Sequence, residues 1–108
     1  MTKKAFQEEI NKITAQIIKS YQPEKIILFG SLARGNFSED SDVDLLIIKE
    51  TKDSKIDRIK KILFTVDYNL PFEPLVYTQD ELEKRQKLGD SFILAVLSEG
   101  KVLYEKPV

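Results

Sequence analysis

Residues 29–45 read FGSLARGNFSEDSDVDL, and this stretch decides how the rest of the chain is read. An apolar strand, KIILF over 25–29, runs into Gly30-Ser31. A basic residue, Arg34, follows one turn later. After a polar, turn-rich interval over 32–41, Asp42-Val43-Asp44 opens a second apolar strand. Each part has a physical use. Gly30 has no side chain, so its backbone can approach a phosphate closely. Ser31 offers a hydroxyl, and a helix starting there would aim free N–H groups at an anion. Arg34 stays charged and can fork onto phosphate oxygens. Asp42 and Asp44 alternate with Val43, so their carboxylates share one face, with Cα atoms roughly 6.5–7 Å apart. Two carboxylates at that spacing can bracket a pair of divalent ions about 3.5–4 Å apart. Unscreened, they repel each other, and a metal relieves that cost.

The same alternation carries on through DVDLLIIK (42–49). Asp42, Asp44, Leu46 and Ile48 point one way; Val43, Leu45 and Ile47 point the other. Both faces are apolar from Leu45 onward, which predicts a central strand. Upstream, Phe6, Ile10, Ile13, Ile17 and Tyr21 recur at spacings of three and four, predicting a helix over 3–21 that stops before Pro23. Downstream, a helix is expected over about 53–67 with Ile56, Ile59, Leu63 and Val66 as its apolar stripe, broken at Leu70-Pro71. Lys55, Arg58, Lys60 and Lys61 read as its solvated face, and Lys84, Arg85 and Lys87 as that of the helix after it. FEPLVYT (72–78) is a third strand. Thr78 and Glu81 form a capping-box signature for QDELEKRQKL. Gly89 ends that helix, Asp90 or Ser91 caps SFILAVLSE, and Gly100 precedes a last strand, KVLYE. The expected fold is α/β (α+β): one domain over 1–108, a small mixed sheet of three or four strands flanked by helices.

Composition narrows the chemistry. The 108 residues include no Cys and no His. Disulfides, thiolate or imidazole metal sites, and Ser-His-Asp or Cys nucleophile machinery are therefore excluded. A metal would be held by oxygen alone, which points to Mg²⁺, Mn²⁺ or Ca²⁺. A general base would be a carboxylate, Lys or Tyr. Net charge is −1, from 17 basic and 18 acidic side chains, so no global field draws the chain to nucleic acid or an anionic membrane. The start, MTKKAFQEEI, has no apolar signal core, and a cytoplasmic setting is expected.

Gly30-Ser31, Arg34-Gly35 and Ser41-Asp42-Val43-Asp44-Leu45 together resemble the signature of the DNA polymerase beta-type nucleotidyltransferase superfamily. The string GSLARGNFSEDSDVDLLI is most similar to the minimal nucleotidyltransferase (MNT) family, small prokaryotic proteins of which many are encoded beside a HEPN-domain protein as antitoxin and toxin. The resemblance covers nearly the whole chain and is most specific over 29–48. It implies that Gly30 and Ser31, with Arg34, hold the triphosphate of ATP or another NTP. Asp42 and Asp44 would coordinate Mg²⁺, two ions in all. A third carboxylate is implied on the next strand, where Glu73 matches and the family usually has Asp. Asp67 is the fallback. The implied reaction is transfer of a nucleoside monophosphate, AMP in the first instance, to a hydroxyl acceptor, a Tyr of a partner HEPN toxin, with Glu73 as base.

Two other readings stay open at this level. Glu73-Pro74 departs from the family pattern, which leaves room for a non-catalytic module that neutralises a partner by contact. An enzyme acting on a small hydroxylated molecule is the other, although the chain has almost nothing beyond the core for an acceptor. Tyr68, Tyr77, Tyr104 and Phe37 could stack on a base. The two tyrosines in predicted strands read better as half-buried, and Phe37 as a loop residue near the site.

Overall fold

A computed structural model of the chain describes residues 2–38 and 40–108. Helix α1 (Lys3–Tyr21) leads into β1 (Lys25–Phe29) and β2 (Val43–Ile48). Helix α2 (Lys55–Thr65), β3 (Phe72–Tyr77), α3 (Gln79–Lys87), α4 (Ser91–Glu99) and β4 (Lys101–Glu105) follow. The four strands form one sheet in the order β3-β2-β1-β4. β1 is antiparallel to β2 and to β4, while β2 and β3 run parallel. Parallel neighbours need a long crossover, and α2 supplies it. β2 is interior, as its apolar run predicts, with Val43, Leu45, Leu46 and Ile47 fully buried. Pro74 lies on β3, an edge of the sheet, where a residue without an N–H is tolerated.

The strand alternation sorts two cores. On one face, Ile26, Leu28, Val43, Leu45, Ile47, Phe72 and Val76 pack against α1 and α2. On the other, Ile27, Leu46 and Ile48 pack against Leu82 of α3 and Ile93 and Val96 of α4. Ile13 and Ile17 of α1 are fully buried; each such side chain contributes roughly 1.5–3 kcal/mol. Helix starts are defined by side-chain caps. Thr2 accepts from the Ala5 amide at 3.0 Å, Ser54 from Asp57 at 3.2 Å and Asp90 from Ile93 at 3.1 Å. The predicted box at α3 forms in full: the Glu81 amide donates to Thr78 at 3.1 Å, and the Thr78 amide to Glu81 at 2.8 Å. Gly100 ends α4 without a left-handed turn. A Cβ there would run into the Val96 carbonyl and the Ile27 side chain, so it is close packing that requires glycine.

Two expectations about α2 need correction. Ile56 is not part of the buried stripe; it is 65% exposed, and Ile59 and Leu63 are only half-buried. The inward face carries Arg58 and Ile62, with Val66 just beyond the helix. Arg58 is accordingly not on a solvated face. Its guanidinium donates from Nη1 to Glu81 Oε1 at 2.6 Å and from Nη2 to Oε2 at 3.2 Å. It also reaches the backbone carbonyls of Asp53 at 2.8 Å and Val76 at 3.2 Å. A charge is tolerated there because its donors find acceptors on α3, β3 and the turn before α2. Counting apolar residues misplaced the stripe by one helical position, because an arginine with buried partners occupies a core position. No helix of the described residues is long and apolar enough to cross a membrane.

Candidate active site: an acidic cluster beside a glycine turn

The carboxylates collect at one end of the sheet. Asp44 pairs across the parallel ladder with Glu73, and across the antiparallel ladder with Phe29. All three side chains share the parity of Leu46 and Leu75, so they lie on the α3/α4 face. Asp42 precedes β2 on the same parity. Each of Asp42, Asp44 and Glu73 places one carboxylate oxygen within 4.8 Å of the others. Asp67 is not in this group; its backbone N–H and C=O are taken up by the Gln16 amide at 2.8 and 2.9 Å.

The cost of this arrangement falls on Asp44. Burial first, and then the negative charges of Glu73 and Asp42, together raise its carboxyl from 3.8 to about 6. A site of oxygen donors that repel one another, two of them on half-buried residues, fits a hard divalent cation, which would offset both penalties. The three carboxylates could therefore hold such a cation.

The glycine turn sits against the cluster. Gly30 adopts φ +79, in the left-handed region. A Cβ on it would be driven into the Asp44 carboxylate. Glycine is thus required twice, by conformation and by proximity. No helix begins at Ser31; the chain turns there, in keeping with the polar, turn-rich interval expected over 32–41. Residues 31–35 form a tight turn, closed by bonds from Arg34 N to the Gly30 carbonyl at 3.3 Å and from Asn36 N to Ser31 at 2.9 Å. The turn reverses at Gly35, φ +80, before a helix can propagate. Among the described residues, the amides of Ser31, Leu32 and Ala33 donate to no backbone carbonyl outside the regular elements. A turn presenting successive amides is itself an anion-binding concavity.

Arg34 is half-exposed and lies 3.6 Å from Glu99 of α4. Ser41 is buried just before Asp42; its hydroxyl accepts from the Ser38 amide at 3.1 Å and lies 3.2 Å from the Ser38 hydroxyl. That knot fixes the chain where it enters the site. Sequence reading assigned no role to Ser38, although its contact with Ser41 spans only three residues, or to Glu99, whose contact with Arg34 has no local spacing to betray it. Phe37 does not face the site. Its ring packs edge-on against Phe6 at 4.9 Å, on the α1 side. Tyr77 and Tyr104 are half-buried, as expected of strand residues.

Comparison with known proteins agrees with this geometry. The sequence profile described as "Nucleotidyltransferase domain" matches residues 8–103. A Methanocaldococcus jannaschii protein named "Putative protein adenylyltransferase" is 37% identical over 102 residues, covering 94% of this chain and 96% of its own length. A second protein of that organism with the same name is 35% identical over 69 residues, covering 64% of this chain and 69% of its own. Among solved structures, one described as "a putative nucleotidyltransferase from Sulfolobus solfataricus" superposes with a TM-score of 0.63. It is 19% identical and covers 98% of this chain and 91% of that one. Another, described as "the toxin-antitoxin with AMP-PNP", gives a TM-score of 0.53 at 22% identity, over 89% of this chain and 73% of that one. With the carboxylate cluster, the glycine turn and the matched profile all on one small mixed sheet, the chain belongs to the nucleotidyltransferase domain family.

Proposed function

We propose that this chain transfers AMP from ATP to a side-chain hydroxyl of a partner protein, and that it acts as the antitoxin of a toxin–antitoxin pair. The observation that carries the chemistry is the convergence of Asp42, Asp44 and Glu73 beside Gly30. The protein acceptor is supported by the name of relatives 37% and 35% identical. The toxin partner is supported by a fold neighbour described as a toxin–antitoxin structure with AMP-PNP. A HEPN-domain toxin bearing an acceptor Tyr is the finer form of the proposal.

Residue roles follow from position. The amides of the 31–33 turn and the Ser31 hydroxyl bind the triphosphate, and Arg34 leaves Glu99 to reach it. Asp42, Asp44 and Glu73 hold Mg²⁺, which when bound supplies charge neutralisation on the phosphates and a more acidic acceptor hydroxyl. Glu73 is the most exposed of the three, so it takes the proton of the incoming hydroxyl. The hydroxyl oxygen forms the new bond to the α-phosphorus, the bond from that phosphorus to the bridging oxygen breaks, and pyrophosphate leaves. Its extra methylene lets Glu reach from an edge strand where aspartate would be the shorter alternative.

Co-expression with the toxin and intact-mass analysis of that toxin test the partner assignment. Wild type should relieve toxicity and add one AMP to the toxin, while the Asp42→Asn, Asp44→Asn double variant should do neither. Full protection by the double variant, with the toxin unmodified, would favour neutralisation by contact instead.

A further inference from the structure

We propose that the cleft between the Phe29–Arg34 turn and α4 receives the base of the nucleoside triphosphate, with the Phe92 ring as its platform. This deepens the triphosphate reading of the site and rests on it. Phe92 lies in the first turn of α4 and is 43% exposed, although nothing in the helix pattern requires an aromatic outside the core. Its ring meets Phe29 edge-on, with centroids 5.5 Å apart and planes at 83°. The two rings do not stack on each other, so Phe92 keeps aromatic surface for a third flat ring. Base–aromatic stacking of that kind uses the face that every nucleobase has.

The cleft is placed where a base would have to be. Phe29 is the cross-strand partner of Asp44. Gly30 borders both the cleft and the Asp44 carboxylate, so its missing side chain is the shared wall between them. The cleft encloses about 240 Å³ between Phe29, Phe92, Ala95 and Val96, with Arg34 and Glu99 at its polar end. That is below the roughly 300–1,000 Å³ of pockets that enclose a whole drug-sized ligand, and suits a single planar ring. Ala95 leaves the space open; a larger side chain at that exposed helix position would fill it.

Binding of Mg²⁺·ATP and of Mg²⁺·tripolyphosphate, measured by calorimetry, separates base from phosphate. Wild type should bind ATP at least about 10-fold tighter than tripolyphosphate. Phe92→Ala should lose about 10-fold on ATP, equivalent to about 1.4 kcal/mol of lost stacking, and leave tripolyphosphate unchanged. Ala95→Leu, which closes the cleft at an exposed site with a good helix former, should repeat that pattern. If wild type binds both ligands and neither variant weakens ATP, the cleft is not the base site. If wild type binds neither ligand, the triphosphate reading fails and the cleft assignment falls with it.

Discussion

Replacing Asp44 by Asn should make the protein more stable without metal and useless with it. At pH 7.5 the Asp44 carboxyl is ionised although its folded-state value has been lifted from 3.8 to about 6. At 1.36 kcal/mol per pH unit, the ionised form is penalised by at most about 3 kcal/mol relative to the unfolded chain. Solvent reaches part of the group, so about 1–2 kcal/mol is the realistic share. Asn has the same shape, carries no charge and can donate to Glu73. The assay is thermal unfolding in EDTA at pH 7.5, where Asp44→Asn should melt about 5–10 °C above wild type. Because the folded-state value lies above the unfolded one, the stabilising contribution of neutral Asp44 is fully present below about 3.8. It is lost as pH rises through about 6. The gap between variant and wild type should therefore shrink between pH 7 and pH 5. Added Mg²⁺ should raise the wild-type midpoint and leave the variant unmoved. An Asp44→Asn protein that melts below wild type in EDTA would refute the claim that the cluster is strained.

The ion pair between buried Arg58 and half-buried Glu81 gives a prediction of opposite sign. Arg58→Met removes the partner of Glu81 and strands two backbone carbonyls, and should cost about 3–5 kcal/mol, read from denaturant midpoints at constant slope. The Arg58 bonds and the Thr78 amide hold Glu81 at about 2, against 4.5 unfolded. Stability from this group should be complete above pH 4.5 and lost as pH falls towards 2, and Glu81→Gln should flatten that limb of the pH–stability curve. Gly30→Ala forces a Cβ at φ +79 into the Asp44 carboxylate; it should cost about 1–2 kcal/mol of stability and lower transfer by about 10²-fold or more, measured as initial rate. Glu73→Gln should lower transfer by about 10²–10⁴-fold at saturating ATP.

Much of this was written locally. The strand that ends at Phe29, the pair Asp42 and Asp44 on one face, the Thr78–Glu81 box and the interior position of β2 all follow from spacings of two, three or four residues. Glu73 came only from resemblance, because nothing within β3 says that it faces Asp44 across a parallel ladder. Arg58 was misread for a related reason. Its acceptors come from the turn before α2, from β3 and from α3, so its sequence surroundings look like an ordinary basic helix face. The turn after Ser31 was legible in its polar, turn-rich composition, and Gly35 reverses the chain there after a single turn. Contacts that depend on separated elements, such as Arg34 with Glu99 or Phe29 with Phe92, leave no periodic trace.

The most direct test of the account is transfer of label from ATP to the partner toxin with Mg²⁺, run in parallel with α- and γ-labelled ATP. α-Label should reach the partner, γ-label should leave as pyrophosphate, and both signals should vanish in EDTA and in the Asp42→Asn, Asp44→Asn variant. Transfer of γ-label to the partner, or α-label transfer undiminished in that variant, would contradict it.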